Sequence, residues 1–179
     1  LYLKTERSFS RSTSTQAICA IKMFWEKSLR RPWPAEVELV RATPEFKLPV
    51  ILSATEVRQI LAAVPALDHR VALTTLYSCG LRLGEALNLE VGDIDSQRMV
   101  LHVRAGKGGR DRYAMLSPVL LASLRQYYRT ERPQKPFLFP GNTPGKPVRP
   151  EGVQTALRIA LAHSGVSKRI TPHTLRHAF

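Results

Sequence analysis

The 179-residue sequence predicts an α+β fold that is mainly helical and contains one small antiparallel β-sheet. In several segments apolar residues recur at three- and four-residue spacing, which is typical of amphipathic helices. Two short apolar runs, 100–103 and 113–115, flank a glycine-rich basic turn and predict a β-hairpin over 98–116. With 44% hydrophobic residues, a chain of this length can bury a sizeable core.

The first predicted helix covers residues 15–29 and is followed by a proline-rich segment. Prolines at this density break regular elements and stiffen an extended linker; they are Pro32, Pro34, Pro44 and Pro49. The helix has too little neighbouring sequence to bury its apolar face. We therefore expect residues 1–43 to be the end of a larger helical domain with its linker, and residues 48–179 to be a second domain. Because the chain starts at Leu1 and stops at Phe179 in a predicted helix, we expect both ends to be cut.

The second domain has clear start and stop signals. Ser53 and Glu56 form a capping box that opens a helix reaching about Ala63. The next helix ends near Gly80, and a short helix over 81–89 follows at once. After the hairpin, further helices are predicted over 117–129 and 152–163 and from Thr171-Pro172 onward.

Charge and composition limit the functional classes. Lys and Arg number 27 against 14 Asp and Glu, a net charge of +13, which predicts binding to the phosphate backbone of nucleic acid. No apolar run is long enough to span a membrane, and no signal peptide is recognisable. Cys19 and Cys79 form neither a zinc nor a disulfide pattern. We expect a cytoplasmic protein with no cofactor, no metal, no membrane partner and no small-molecule substrate.

Three clusters place a cation where a turn would hold it. They are CGLRLGEALNL with Arg82, AGKGGRDR with Lys107, and TPHTLRHAF with His173 and Arg176. Such a set can bind a phosphate, and Glu85, three residues after Arg82, can orient its guanidinium. Taken singly, each cluster is also compatible with an ordinary solvated surface.

In order and wording, these clusters resemble the boxes GLRxxEhxxL (h, apolar), GKGxKxR and HxLRHxF of the tyrosine recombinase (phage integrase) family. The resemblance covers about 48–179, and the preceding segment resembles the end of that family's SAM-like core-binding domain. The segment KLPVILSATEVRQIL resembles the domain junction of both Xer-type and integron-integrase-type members. The resemblance to the family implies site-specific recombination or integration of double-stranded DNA through a phosphotyrosyl intermediate. It also implies a homo- or hetero-tetramer on DNA and no cofactor.

The resemblance also implies roles for individual residues. Arg82 and Arg176 would be the two catalytic arginines, Lys107 the hairpin lysine that protonates the leaving 5′ oxygen, and His173 an assistant to proton transfer at the attacking phenol. Glu85 and His177 would support them. The basic residues expected to contact the DNA backbone are Arg30, Arg31, Arg104, Arg110 and Arg112.

The nucleophilic tyrosine of the family lies beyond the HxLRH box, and none of the chain's five tyrosines maps there. Packing is predicted for Tyr2, Tyr77, Tyr113, Tyr127 and Tyr128, the last two on an outer helix face. Cleavage by these 179 residues alone is therefore not expected. Two alternatives stay open: a catalytically inactive DNA-binding remnant or regulator that occupies recombination sites, and a related type IB topoisomerase.

Overall fold

The computed structural model describes residues 10–34, 50–104 and 110–178. The chain divides into two units, Leu1–Leu48 and Pro49–Phe179. The predicted linker lies mostly outside the described residues, and so does the turn of the hairpin.

In the first unit, helix α1 (Arg11–Met23) continues into a π-helical turn, Phe24–Ser28. The helix begins four residues before the predicted start, because the Ser10 side chain accepts a hydrogen bond from the Thr13 backbone N–H and caps it. After the turn, Trp25 Nε1 donates to the Pro32 carbonyl at 2.9 Å. Apolar side chains of this helical segment are exposed among the described residues: Ile21 is 53% and Phe24 57% exposed.

The described part of the second unit contains six α-helices and a three-stranded antiparallel sheet. The helices are α2 (Ala54–Ala62), α3 (Leu67–Cys79), α4 (Leu83–Leu87), α5 (Pro118–Glu131), α6 (Pro150–His163) and α7 (Pro172–His177). The strands are β1 (Ile94–Asp95), β2 (Val100–Val103) and β3 (Arg112–Met115), in that order across the sheet. The predicted fold class is confirmed.

Local signals place the first two helices of this unit. The capping box of α2 is present as predicted, with the Ser53 hydroxyl accepting from Glu56 N and the Glu56 carboxylate accepting from Ser53 N. Helix α3 ends at Gly80, whose φ of 59° and ψ of 34° lie in the left-handed region that glycine adopts without strain. Only three residues, 80–82, therefore separate α3 from α4.

The predicted hairpin is confirmed as β2 and β3, with Val103 opposite Arg112 and Val100 opposite Met115. Strand β1 is not predicted by the sequence pattern. It is two residues long and follows a 3₁₀ turn, Val91–Asp93, so no alternation of apolar residues can develop. Because β1 pairs with β2, the hairpin becomes part of a three-stranded sheet and is joined to the segment after α4.

Helix α3 is the centre of the second unit. It packs against every other described helix of this unit, and its Leu73 and Leu76 are fully buried. Burying a leucine side chain contributes about 2 kcal/mol. Leu175, also fully buried, anchors the short α7 to the same core. The helices that carry Arg82 and Arg176 thus share one support.

Candidate active site

The turn between α3 and α4 fixes Arg82. Arg82 is the N-cap residue of α4, with extended φ and ψ of −71° and 153°. Glu85, in the first turn of α4, accepts from the Arg82 backbone N–H at 2.8 Å and from Arg82 Nη1 at 2.7 Å. Glu85 is only 8% exposed, whereas Arg82 is 41% exposed. The predicted pairing is therefore present, and it holds a solvent-accessible guanidinium on a buried carboxylate.

A second arginine meets the same carboxylate. Arg112, at the start of β3, donates from Nη2 to Glu85 Oε2 at 2.8 Å. Burial by itself raises the pKa of Glu85, but the hydrogen bonds from Arg82 and the charge and hydrogen bond of Arg112 outweigh it. The pKa of Glu85 lies below its ordinary value as a result. Glu85 is therefore a stable anion at neutral pH.

Lys107 lies outside the described residues, but both strands that lead to its turn are described. After β2, Arg104 forms two ion pairs, from Nη1 to Glu90 Oε1 and from Nη2 to Asp93 Oδ1, each at 2.8 Å. Its hydrogen bond to Glu90 and the charge of Asp93 raise the pKa of Arg104. Arg110, on the other side of the turn, is exposed. The stem of the turn is thus held on the β2 side by two acidic residues.

His102 belongs to this network, although the sequence pattern gives it no role beyond a strand position. Its Nε2 lies 3.0 Å from Asp111 Oδ2, and its Nδ1 lies 3.7 Å from Asp93 Oδ1. Its ring also packs on Tyr113, with 5.3 Å between centroids. No short-range spacing reveals such a cluster, because the two acidic residues sit on opposite sides of His102 in sequence and meet it only through sheet pairing.

Helix α7 carries the third cluster. Thr171 caps the helix by accepting from Thr174 N, and Pro172 occupies the first turn. The Nε2 atoms of His173 and His177 lie 2.9 Å apart with rings at 84°, so one imidazole donates to the other. The supporting role of His177 stays a prediction. Arg176 is half-buried, and no ion pair to it occurs within 10–34, 50–104 and 110–178.

The structure separates the residues predicted to bind DNA into three settings. Arg30, with a positive φ of 51°, and Arg31 are exposed in the first unit. Arg110 is exposed beside the hairpin turn, whereas Arg104 and Arg112 are paired with carboxylates. The sequence pattern did not predict the carboxylates that pair with Arg104 and Arg112. Contact of these five arginines with DNA stays a prediction.

The tyrosines follow the packing prediction in part. Tyr77 packs against the core, and Tyr127 is 2% exposed, where burial raises its pKa. The outer-face prediction is wrong for Tyr127, because Leu120, Leu124 and Tyr127 share the inward face of α5 at helical spacing. Tyr113 is 67% exposed and does not pack in the core, although its ring contacts that of His102. Tyr2 lies outside the described residues.

The described residues, 10–34, 50–104 and 110–178, contain neither a membrane-spanning helix nor a metal-binding group of side chains. None of the helices in this part of the chain combines the length and the apolar character needed to cross a membrane. In the same part, no three His, Cys, Asp or Glu side chains are grouped so that they could hold a metal ion. Both cysteines are free, Cys79 buried and Cys19 exposed. Desolvation raises the pKa of Cys79 to about 11, so this thiol is neutral.

Comparison with known proteins gives consistent matches. Residues 51–179 match the model of the phage integrase family. The chain is 47% identical over its full length to the candidate integrase/recombinase y4qK of Sinorhizobium fredii (strain NBRC 101917 / NGR234), and it covers 58% of that protein. It is 30% identical to tyrosine recombinase XerC of Halalkalibacterium halodurans over 97% of this chain and 63% of the relative. The chain thus spans less than two thirds of the length of these relatives.

Solved structures have the same fold. The crystal structure of XerA recombinase matches 99% of this chain and 64% of its own, with a TM-score of 0.64 and 26% identity. XerH site-specific recombinase, in a post-cleavage complex with palindromic difH substrate, matches 99% of this chain and 56% of its own. That match has a TM-score of 0.77 at 18% identity.

Proposed function

Because the chain belongs to the phage integrase family, we propose that it is part of an enzyme that cuts and rejoins double-stranded DNA at specific sites in the cytoplasm. In this proposal residues 1–43 contribute the end of a DNA-binding core domain with its linker. Residues 48–179 contribute most of the catalytic domain. The active assembly is a tetramer on DNA.

The observation that carries the proposal is the arginine held at the α3–α4 turn. Arg82 is fixed by Glu85 through a side-chain contact of 2.7 Å and a backbone contact of 2.8 Å, yet 41% of its side chain is exposed. A guanidinium held on one side presents its other N–H groups in a fixed direction. Such preorganised donors stabilise the extra negative charge on the oxygens of a phosphodiester transition state.

The proposed step is a transesterification. A tyrosine hydroxyl attacks the phosphorus, the new O–P bond replaces the P–O5′ bond, and a 3′-phosphotyrosyl linkage and a free 5′-hydroxyl result. Arg82 and Arg176 hold the non-bridging oxygens, His173 assists removal of the phenol proton, and Lys107 protonates the leaving 5′ oxygen. The proposal assigns the nucleophile to none of the described tyrosines.

Salt dependence of binding to a duplex tests the DNA part of the proposal. The 179-residue chain is titrated into a fluorescein-labelled duplex and followed by anisotropy at several salt concentrations. If the basic side chains displace counterions from about six phosphates, the affinity falls by about a thousandfold between roughly 50 and 200 mM salt. A flat response over this range would contradict binding through the phosphate backbone.

A pair of arginine substitutions tests the site. Arg176→Ala is expected to lower the slope of log affinity against log salt by about one, because one phosphate contact is lost. Arg129→Ala, an exposed arginine on α5 outside the proposed site, makes the same change of charge and is expected to leave the slope unaltered. Equal slopes for the two variants would remove Arg176 from the phosphate site.

A further inference from the structure

Glu85 binds two arginines that come from different parts of the fold. Its Oε1 accepts from Arg82 Nη1 at 2.7 Å, and its Oε2 accepts from Arg112 Nη2 at 2.8 Å. Arg82 and Glu85 are three residues apart, whereas Arg112 is 27 residues from Glu85. The carboxylate is thus a junction between the start of α4 and the start of β3.

The burial of Glu85 makes this junction stiff. A carboxylate that is 8% exposed needs compensating donors, because an unpaired buried anion is costly. Arg82 alone leaves Oε2 with only a backbone donor, and Arg112 supplies the second charged donor. With both oxygens engaged, the carboxylate cannot rotate without breaking an ion pair. The orientation of Arg82 therefore depends on Arg112.

The position of Arg112 on the hairpin adds a second consequence. Arg112 is the first residue of β3 and lies opposite Val103 in β2. The position of its side chain therefore depends on the position of the hairpin stem. Directly after the neighbouring strand β2, Arg104 is held by Glu90 and Asp93. Both strands that lead into the Lys107 turn are thus fixed by carboxylates of the segment 85–93.

Resting on the proposed function, we infer that Arg112 is a positioning residue, which orients Arg82 through their shared carboxylate Glu85 and couples the hairpin to the α3–α4 turn. The expected contact of Arg112 with the DNA backbone stays a prediction beside this positioning role. Arg110, which is exposed two residues earlier, remains available for such a contact.

A titration of the wild-type chain tests this inference without any substitution. The Nε–H signals of Arg82 and Arg112 are followed by NMR as the pH is lowered through the titration of Glu85, whose carboxyl carbon is followed in parallel. The two arginine signals are expected to shift with one common midpoint, which lies below the ordinary value for glutamate. An Arg112 signal that does not follow Glu85 would overturn the inference.

Substitutions test the direction of the coupling. In Arg112→Ala, the midpoint seen at Arg82 is expected to rise, because Glu85 loses a neighbouring positive charge, and rotation of the Arg82 guanidinium is expected to become faster. Arg112→Lys keeps the charge and should restore part of the shift without restoring the slow rotation. Arg110→Ala is the matched control and should change neither signal. An unchanged Arg82 signal in folded Arg112→Ala would refute the coupling.

This experiment contains no DNA, so its outcome is separate from that of the binding assay. A DNA affinity that does not change with salt would contradict the proposed function, but Arg82 and Arg112 could still titrate with a common midpoint. Different midpoints for Arg82 and Arg112 would contradict the coupling between them, but binding to DNA could still depend on salt. If Arg112→Ala does not fold, as circular dichroism would reveal, the wild-type titration alone decides.

Discussion

The two arginines proposed to hold the phosphate have contrasting surroundings. Arg82 is bound by a carboxylate that is 8% exposed and that also binds Arg112. Arg176 lies on a six-residue helix, is half-buried, and has no ion pair within the described part of the chain. On the same helix, Leu175 is buried in the core and His173 contacts His177.

This difference teaches how a protein can prepare two cations for one anion. Glu85 orients Arg82 before a phosphate binds, but the negative charge of Glu85 offsets part of the positive charge of Arg82. Arg176 has no ion pair among the described residues, so in the proposed site its charge would remain available to a phosphate. In the proposed site, an oriented Arg82 and an Arg176 without an ion pair among the described residues would together favour a phosphate that both arginines bind.

The largest expected effect comes from the apolar anchor of α7. Leu175→Ala is expected to lower the free energy of unfolding by about 3 kcal/mol, because it removes a fully buried leucine and leaves a cavity. Urea unfolding followed by far-ultraviolet circular dichroism measures the loss. Tryptophan fluorescence would not serve, since Trp25 and Trp33 both lie in the first unit.

The matched control for this substitution is Val119→Ala on α5, where the side chain is 78% exposed. Its effect is expected to stay within about 0.5 kcal/mol. A loss below about 1 kcal/mol for Leu175→Ala would show that packing does not hold α7 in place.

The next effect concerns the shared carboxylate. Glu85→Gln is expected to lower the free energy of unfolding by about 2 kcal/mol, because Arg82 and Arg112 then face each other without a compensating anion. The value lies between those of exposed and of fully buried ion pairs, since both arginines are partly exposed. Glu131→Gln, at the exposed end of α5, is the control and is expected to change stability by less than about 0.5 kcal/mol. Equal effects of the two substitutions would contradict a role of Glu85 in holding the two arginines.

The pH dependence of this effect has a definite sign. Because the folded protein lowers the pKa of Glu85, its ionised form contributes stability that is complete above the unfolded pKa and is lost as the pH falls through the folded pKa. The stability difference between the wild type and Glu85→Gln should therefore narrow as the pH is lowered from about 5, near the ordinary glutamate pKa. Urea unfolding of both proteins at several pH values measures this narrowing. A difference that widened towards acid would contradict a lowered pKa.

The sequence predicts the parts of this molecule that depend on near neighbours. The capping box of Ser53 and Glu56, the helix end at Gly80 and the pairing of Arg82 with Glu85 involve residues at most three apart, and all are present. The hairpin strands also follow from their own apolar runs.

What the sequence does not predict depends on tertiary approach. Arg112 on β3 reaches Glu85 in α4, and His102 on β2 reaches Asp93 just before β1, only through tertiary approach of segments distant in sequence. Arg112 therefore looks in sequence like any basic residue near a hairpin. Strand β1 escapes prediction because two residues carry no periodicity.

The smallest expected effect on stability distinguishes the two arginines most directly. Arg176→Ala is expected to change the free energy of unfolding by no more than about 0.5 kcal/mol, because no carboxylate among the described residues depends on it. Arg82→Ala is expected to cost about 1 kcal/mol more, since Glu85 stays buried with one charged donor fewer. Urea unfolding without DNA measures both. If Arg176→Ala proved as destabilising as Arg82→Ala, Arg176 would have a structural partner, and its charge would not be held free for a phosphate.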